Sequence, residues 1–212
     1  MDNLNHNTST PTFPVPTCKK TVRIVFAGGI ASGKSKCLEF LPTFHSEKEI
    51  GIIPEGATFV MENTSYRPKK DPVLFQIVTN FYYTIKEKSF ENSDIIIMDR
   101  SLADSFVYLD TESAEKLLGE GVQDTLDRYD IVFYFKPYPL ELLSSLDEGN
   151  RYRNESPEER DALDQKTLSV YSNHKNFHII PSVFDTARDK AIYVAKYINK
   201  ILAETVFDIS EE

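Results

Sequence analysis

Five short runs of apolar residues recur along the chain, and each is rich in β-branched or aromatic side chains. Continuous runs of this kind are typical of strands that are buried on both faces of a sheet. They predict strands at residues 22–26, 49–53, 94–99, 130–135 and 177–180.

Between these runs the apolar residues change to a spacing of three or four, which predicts helices. The clearest helix, over 72–90, begins with Asp71 as its cap and Pro72 in its first turn. Its apolar residues are Val73, Leu74, Ile77, Val78, Phe81, Tyr82 and Ile85. Other helices are predicted at 36–40, over 113–129, after 137, from 156 to about 171, and at 186–203. Because strands alternate with helices, the fold class is α/β, with a five-stranded parallel sheet and helices on both faces.

The first strand leads into a turn that matches the phosphate-binding pattern G-x-x-x-x-G-K-[ST]. Its glycines let backbone N–H groups approach phosphate oxygens, and Lys34 supplies a positive charge for the β- and γ-phosphates. The rival dinucleotide fingerprint needs glycine two places after Gly28, where Ile30 stands, so it is rejected. We therefore predict that ATP or GTP is bound by Gly28, Gly29, Ile30, Ala31, Ser32, Gly33, Lys34, Ser35 and Lys36.

Charged residues follow two further strands, at the sheet edge where ligands bind in open α/β folds. Asp99 ends an apolar run and, with the Ser35 hydroxyl, predicts a Mg²⁺ site. Glu55 is a candidate general base or a residue near the metal, and the alternative is a solvated turn glutamate. Arg100 needs a partner if it is buried, either a phosphate or a carboxylate in a structural ion pair.

Two other groups of polar residues have both a functional and a structural interpretation. Gln76, Asn80 and Tyr83 lie close together on the predicted helix 72–90, where they face either a ligand or solvent. Arg151 and Arg153 lie in a charged, turn-rich segment just before the helix that opens at Ser156. Paired arginines at such a place either reach donor phosphates or form a solvated face.

Length and composition predict one domain over residues 20–204, between a flexible tail at 1–19 and an acidic tail at 205–212. The net charge of −9 argues against nucleic acid as the main partner. The two cysteines, Cys18 and Cys37, indicate no disulfide framework. Without a signal-peptide pattern or an apolar run of membrane-spanning length, the expected location is cytoplasmic, with no transmembrane segment.

Taken in order, the phosphate loop, Pro54-Glu55, Asp99-Arg100-Ser101 and the segment from Arg151 to Glu155 resemble small P-loop kinases. The chain is similar to deoxynucleoside kinases, to ribosylnicotinamide kinase domains and to small AAA-domain ATPases, in which a stretch like Pro54 to Thr58 occurs. The likeness covers roughly residues 20 to 203. It implies a nucleoside or nucleotide kinase-like P-loop NTPase fold with a helical lid.

The resemblance also implies residue roles. Glu55 would accept the proton of the acceptor hydroxyl, Arg100 would contact phosphates, and Arg151 and Arg153 would close on the donor from the lid. Gln76 falls where nucleoside kinases often read the base. The chain has no Trp and no aromatic residue beside Glu55, which departs from nucleoside kinases and leaves the identity of the acceptor open.

These observations predict an ATP-dependent, Mg²⁺-assisted kinase that phosphorylates a small nucleoside-like hydroxyl compound. The nucleotide and this acceptor are the expected partners, and a homodimer is possible. The alternative is a nucleotide-binding NTPase that acts as a switch for a protein or lipid partner. Glu55 and the two lid arginines favour the kinase, whereas the basic residues Arg67, Lys69 and Lys70 leave room for the switch.

Overall fold

The structure, a computed structural model, describes residues 20–139 and 156–209. Five parallel strands form its sheet, in the order β2-β3-β1-β4-β5. Their bounds are β1 Val22–Gly28, β2 Ile50–Ile53, β3 Ile95–Asp99, β4 Ile131–Phe135 and β5 Phe177–Ile180. The five predicted strands and their parallel arrangement are confirmed.

Helices cover both faces of this sheet, as predicted. Their bounds are α1 Lys34–Phe40, α2 Gly56–Asn63, α3 Pro72–Ser89, α4 Ser105–Tyr108, α5 Thr111–Leu118, α6 Val122–Leu126, α7 Pro157–Tyr171 and α8 Ala187–Leu202. Short 3₁₀ turns lie at Leu41–Thr43 and Leu102–Asp104. Residues 140–155, which include the predicted lid arginines Arg151 and Arg153, lie outside the described residues.

Two hydrophobic layers hold the sheet between the helices. On one face α1 and α8 pack against it through side chains that include Cys37, Leu38, Val194 and Ile198. On the other face the packing comes from α3, α6 and α7, through Tyr82, Tyr83, Leu126 and Tyr171. Burying apolar side chains on both faces stabilises a parallel sheet and fixes where its strands end.

The structure differs from the sequence prediction along α3. Its polar residues Gln76, Asn80 and Tyr83 are buried, so their interpretation as a solvent-exposed edge is wrong. Instead, a row of apolar residues spaced four apart is 42–66% exposed: Val73, Ile77, Phe81 and Ile85. Helical spacing correctly predicted the element, but it did not predict which face would meet the sheet, because both faces carry large side chains.

Two further segments differ from expectation. The helix predicted over 113–129 is two short helices, α5 and α6, and Gly119 at φ 74° ends the first of them. The C-terminal segment was expected to be a tail, yet Val206 and Phe207 are each 1% exposed and pack in the layer of α1 and α8. Asp208 bridges to His45 in an antiparallel pair, so the packed part of the domain extends to at least residue 208.

Candidate active site

The phosphate loop joins β1 to α1 and needs glycine at its first position. Gly28 adopts φ 136°, and a Cβ atom added there would lie 2.3 Å from the main-chain oxygen of Phe135 on β4. Gly33, at φ 83°, precedes the first turn of α1 in the left-handed region. A side chain is strained in both conformations, so the predicted reason for these glycines holds.

Lys34 is folded back onto its own loop. Its Nζ atom donates to the oxygens of Gly28 and Gly29 at 3.1 and 3.0 Å, and to Ser32 Oγ at 3.1 Å. Burial and the nearby positive charge of Arg100 lower the pKa of Lys34 to about 8, and the charges of Asp99, Glu55 and Asp104 oppose this shift. The lysine is therefore a donor that is held close to the loop by neutral oxygen atoms, with carboxylates nearby.

Ser35 and Asp99 meet beside this lysine, as predicted. Ser35 Oγ donates to Asp99 Oδ2 at 2.7 Å. The other carboxylate oxygen, Oδ1, is buried without a hydrogen-bond partner. Burial raises the pKa of Asp99, and the charge of Lys34 opposes that rise. An orphaned carboxylate oxygen next to a serine hydroxyl is a donor set that fits Mg²⁺, which prefers hard oxygen ligands.

The register of the sheet puts Asp99 at this point. Asp99 on β3 lies opposite Phe26 on β1, two residues before the phosphate loop begins. Tyr83 from α3 fixes the end of β3, because its hydroxyl donates to the main-chain oxygen of Asp99 at 2.7 Å. The same hydroxyl accepts the N–H of Gly56 at 3.0 Å, so α2 and β3 are held by one side chain.

Arg100 forms the centre of a buried ion-pair cluster. Its Nε donates to Glu55 Oε1 at 2.9 Å and its Nη1 donates to Asp104 Oδ2 at 3.0 Å. The backbone of Arg100 is left-handed, at φ 67°, which is uncommon for a residue with a side chain. The sequence predicted either a phosphate or a carboxylate as the partner of Arg100, and the structure shows ion pairs with two carboxylates.

Glu55 is fixed through both of its oxygens. Arg100 binds one, and Thr58 Oγ1 donates to the other at 2.6 Å. Burial raises the pKa of Glu55, but the charges of Arg100 and Lys34 and the hydrogen bonds outweigh it, so the net shift is downward. Its side chain is 26% exposed, within the cavity wall. Glu55 is thus an oriented, ionised carboxylate and not a free turn residue.

These groups line one cavity of about 160 Å³. A cavity of this size holds more than water, since engineered apolar cavities of about 150 Å³ bind benzene. Charged groups of the phosphate loop and of the Arg100 cluster lie at one side: Lys34, Ser35, Glu55, Asp99, Arg100 and Asp104. The remaining wall is largely apolar and includes Met61, Pro68, Phe75, Tyr108 and Leu163, with Gln76 among them. The predicted residues Lys34, Ser35, Glu55, Gln76, Asp99 and Arg100 are therefore brought together.

Other predicted residues stand apart from this group. The Lys36 side chain turns outward and pairs with Glu39 on the exposed face of α1, at 2.7 Å. Arg151 and Arg153 lie outside the described residues. Sequence reasoning missed Thr58 and Asp104, although each stands one helical turn from its partner, at three residues from Glu55 and four from Arg100. That spacing is the signal that could have found them.

Asp104 is also connected to the protein interior. Its Oδ1 atom accepts the hydroxyl of Tyr171 from α7 at 2.7 Å, and Tyr171 lies 2.9 Å from Ser101 Oγ. Arg100, Asp104 and Tyr171 therefore form a continuous polar path from the cavity to the buried face of α7. Such a network is stable only when its members are all satisfied, which explains why a tyrosine is buried there.

Residues 23–186 match the family described as the AAA domain, which is more than half of the chain. The chain belongs to the AAA domain family. No curated protein sequence matches it.

Solved structures share the fold of this AAA domain. The deoxyadenosine kinase from M. mycoides with bound dATP is 18% identical, with a TM-score of 0.60 over 84% of this chain and 99% of the kinase. The same kinase with the products dCMP and a flexible dCDP is 16% identical, with a TM-score of 0.58 over 84% of this chain and 100% of the kinase. The NadR protein in complex with NAD and AMP-PNP is 15% identical, with a TM-score of 0.64 over 91% of this chain and 51% of NadR. These likenesses establish the α/β P-loop fold.

No helix among the described residues combines the length and the apolar character needed to cross a bilayer.

Proposed function

We propose that the protein transfers a phosphoryl group from ATP or GTP, with Mg²⁺, to a hydroxyl of a small nucleoside-like compound. The observation that carries this proposal is the position of Glu55. Its carboxylate lies in the same cavity as Lys34 and Ser35, and Arg100 and Thr58 hold it there. A protein that only bound nucleotide would need no oriented carboxylate facing the phosphate loop.

In this reaction the phosphate loop and Lys34 bind the donor. Lys34 exchanges its three contacts with neutral oxygens of the loop for contacts with oxygens of the β- and γ-phosphates. The phosphate oxygens are negatively charged, whereas the loop oxygens are not. The exchange favours the charged amine, because phosphate oxygens are better acceptors for an ammonium group than neutral carbonyls. Binding energy is thus directed at the phosphates.

Ser35 and Asp99 are the residues that would hold Mg²⁺. The metal, when bound, would neutralise charge on the donor phosphates. The site fits a cation by charge as well as by ligand type, because the cavity wall carries three carboxylates, Glu55, Asp99 and Asp104, against the two cations Lys34 and Arg100.

Glu55 would take the proton of the acceptor hydroxyl. The hydroxyl oxygen of the acceptor would bond to the γ-phosphorus while the bond from that phosphorus to the leaving nucleoside diphosphate breaks. The lowered pKa of Glu55 keeps it ionised at neutral pH. A carboxylate of this kind is a weak base, which suits a loose transition state in which the hydroxyl loses its proton late. Arg100 fixes the direction in which Glu55 faces the acceptor.

The rest of the cavity supports a nucleoside-like acceptor. Its wall is mainly apolar, with the side chain of Gln76, 3% exposed, among Phe75 and Met61. An amide can donate to and accept from the polar edge of a base or of a carboxamide while the apolar wall packs on its ring. Arg151 and Arg153 would complete the donor site from the lid.

The test is a screen of nucleosides and nicotinamide riboside with labelled ATP and labelled GTP in the presence of Mg²⁺. We expect one class of acceptor to become labelled. Glu55→Gln should reduce single-turnover transfer about 10²-fold or more while nucleotide affinity stays near wild type. Arg151→Ala and Arg153→Ala should each reduce it by a similar factor.

The competing function is a nucleotide-controlled switch, and the same experiment separates the two. A switch would label no acceptor, and Glu55→Gln would alter the binding of a partner or slow the hydrolysis of nucleotide. That result would remove the kinase proposal, and a Glu55→Gln variant with wild-type rates would return Glu55 to a structural role.

A further inference from the structure

Lys190 is a buried cation behind the phosphate loop. It lies in the first turn of α8 and is 1% exposed. Its Nζ atom donates to the main-chain oxygen of Ser32 at 3.0 Å and to that of Ser182, just after β5, at 2.8 Å. The same atom lies 4.4 Å from the ring centre of Tyr138. Burying an amine this deeply is costly, so the contacts that it makes require an explanation.

The carbonyl oxygens of the phosphate loop are held by donors from several parts of the fold. Lys34 donates to the carbonyl oxygens of Gly28 and Gly29. The main-chain nitrogen of Tyr138 lies 3.4 Å from the carbonyl oxygen of Ala31. Lys190 binds that of Ser32. When Lys34 moves to bound phosphates it releases its carbonyls, whereas Lys190, on the side of α8, can keep its contact.

The contact with Ser32 also sets the direction of a neighbouring amide. The peptide between Ser32 and Gly33 is trans, and in a trans peptide the C=O and N–H groups point to opposite sides. Because Lys190 holds the Ser32 oxygen towards α8, the N–H of Gly33 is turned away from α8. Amides with fixed directions in a loop of this kind are the groups that bind phosphate oxygens.

We propose that Lys190 is a positioning residue of the phosphate site, which fixes the Ser32–Gly33 peptide for triphosphate binding and adds its charge to that of Lys34. This inference rests on the proposed nucleotide binding. It does not depend on the identity of an acceptor or on whether phosphoryl transfer occurs.

The charged surroundings of Lys190 support this role. Burial and the positive charge of Lys34 lower the pKa of Lys190 to about 8. Burial raises the pKa of Cys37, and it also raises that of Tyr138, so both are neutral at pH 8. Among the described residues, Lys34 is therefore the neighbour whose charge affects Lys190 near pH 8. A bound polyphosphate would favour the protonated form of Lys190, so binding near pH 8 should take up protons.

The test compares Lys190→Met with Lys196→Met, which removes the same charge from an exposed position on the same helix. Calorimetry with Mg²⁺-ATP and with inorganic tripolyphosphate, at pH 8 in buffers of different ionisation enthalpy, gives the affinity and the number of protons taken up. We expect Lys190→Met to lose about tenfold or more in affinity for both probes, as for a lost charged hydrogen bond. Its proton uptake should fall below that of wild type. Lys196→Met should match wild type, and Lys190→Arg should recover part of the affinity.

Thermal unfolding of the free proteins separates this role from a merely structural one. A structural lysine would lower the unfolding temperature of the Met variant but leave the affinity of the folded protein and its proton uptake at wild-type values. That pattern, or an equal loss in Lys196→Met, would overturn the assignment. Because the readout is binding, a failed search for acceptors would contradict the kinase proposal without changing this result.

Discussion

The Nε atom of Arg100 lies 2.9 Å from Oε1 of Glu55, and these residues come from the ends of two neighbouring strands, β3 and β2. The backbone of Arg100 is left-handed at this point, where the chain leaves β3. Strained conformations of this kind persist where the surrounding structure fixes them, and they concentrate at functional sites. Here the contact orients the carboxylate that we propose as the base.

Thr58 should be needed to keep Glu55 in this orientation. Thr58→Val removes the hydroxyl that binds Oε2 at nearly constant volume, so we expect phosphoryl transfer to fall about tenfold. The loss of this hydrogen bond should also raise the pKa of Glu55, which moves the acidic limb of the kcat/KM profile to higher pH. Thr58→Ser keeps the hydroxyl and serves as the control, with a wild-type profile. Equal profiles for Val and Ser would show that Thr58 does not act through Glu55.

Asp99 should act through the metal more than through the nucleotide. In Asp99→Asn we expect nucleotide affinity without Mg²⁺ to stay within about threefold of wild type, while the Mg²⁺ concentration needed for half-maximal turnover rises at least tenfold. A titration of turnover against Mg²⁺ measures this. Asp127→Asn, at an exposed carboxylate after α6, is the matched control. An unchanged Mg²⁺ requirement in Asp99→Asn would contradict the assignment.

The affinity for nucleotide should fall as the pH rises above about 8. Lys34 has its pKa lowered to about 8 in the free protein, so it loses its charge there, and only the charged amine attracts phosphate. At its steepest, the affinity for nucleotide should fall tenfold per pH unit for each lysine that must regain a proton on binding. Calorimetry from pH 7 to 10 measures this slope. Lys34→Arg stays charged throughout, so its weaker binding should depend less on pH. A flat wild-type profile would mean that Lys34 stays charged without ligand.

Gly28 should not tolerate a side chain. The added Cβ of Gly28→Ala would lie 2.3 Å from a main-chain oxygen of β4, which cannot move without breaking the sheet. We expect a loss of more than about 4 kcal/mol in the free energy of unfolding, measured with denaturant. Gly119→Ala is the control, because it also has a positive φ but nothing lies within 4 Å of its added Cβ. Gly119→Ala should lower the free energy of unfolding by only about 1 kcal/mol.

The sequence was sufficient to predict the elements that have a strong local signal. The apolar runs predicted the five strands, and the loop pattern placed Lys34 and Ser35 beside Asp99, where the structure has them. These predictions succeed because a buried parallel strand and a phosphate loop each require particular residue types at a fixed spacing.

Long-range packing was beyond what the sequence could show. On α3 both faces carry large side chains, so periodicity could not tell that Gln76 points into the fold and Phe81 out of it. Lys190 stands in a helix that looks like an ordinary amphipathic surface helix, and its partner Ser32 lies 158 residues away in the chain. No local pattern encodes a contact of that separation.

Segments that are far apart in the sequence meet behind the phosphate loop, and this has a consequence for biosynthesis. Ser32 of the loop is made 158 residues before its partner Lys190, and the core residues Val206 and Phe207 are made later still. At about 5–20 residues per second the loop waits roughly ten seconds or more for these partners. A nascent chain that ends before α8 therefore carries the whole phosphate-binding motif without the structure behind it, and nucleotide can stabilise the complete site only after α8 has been made.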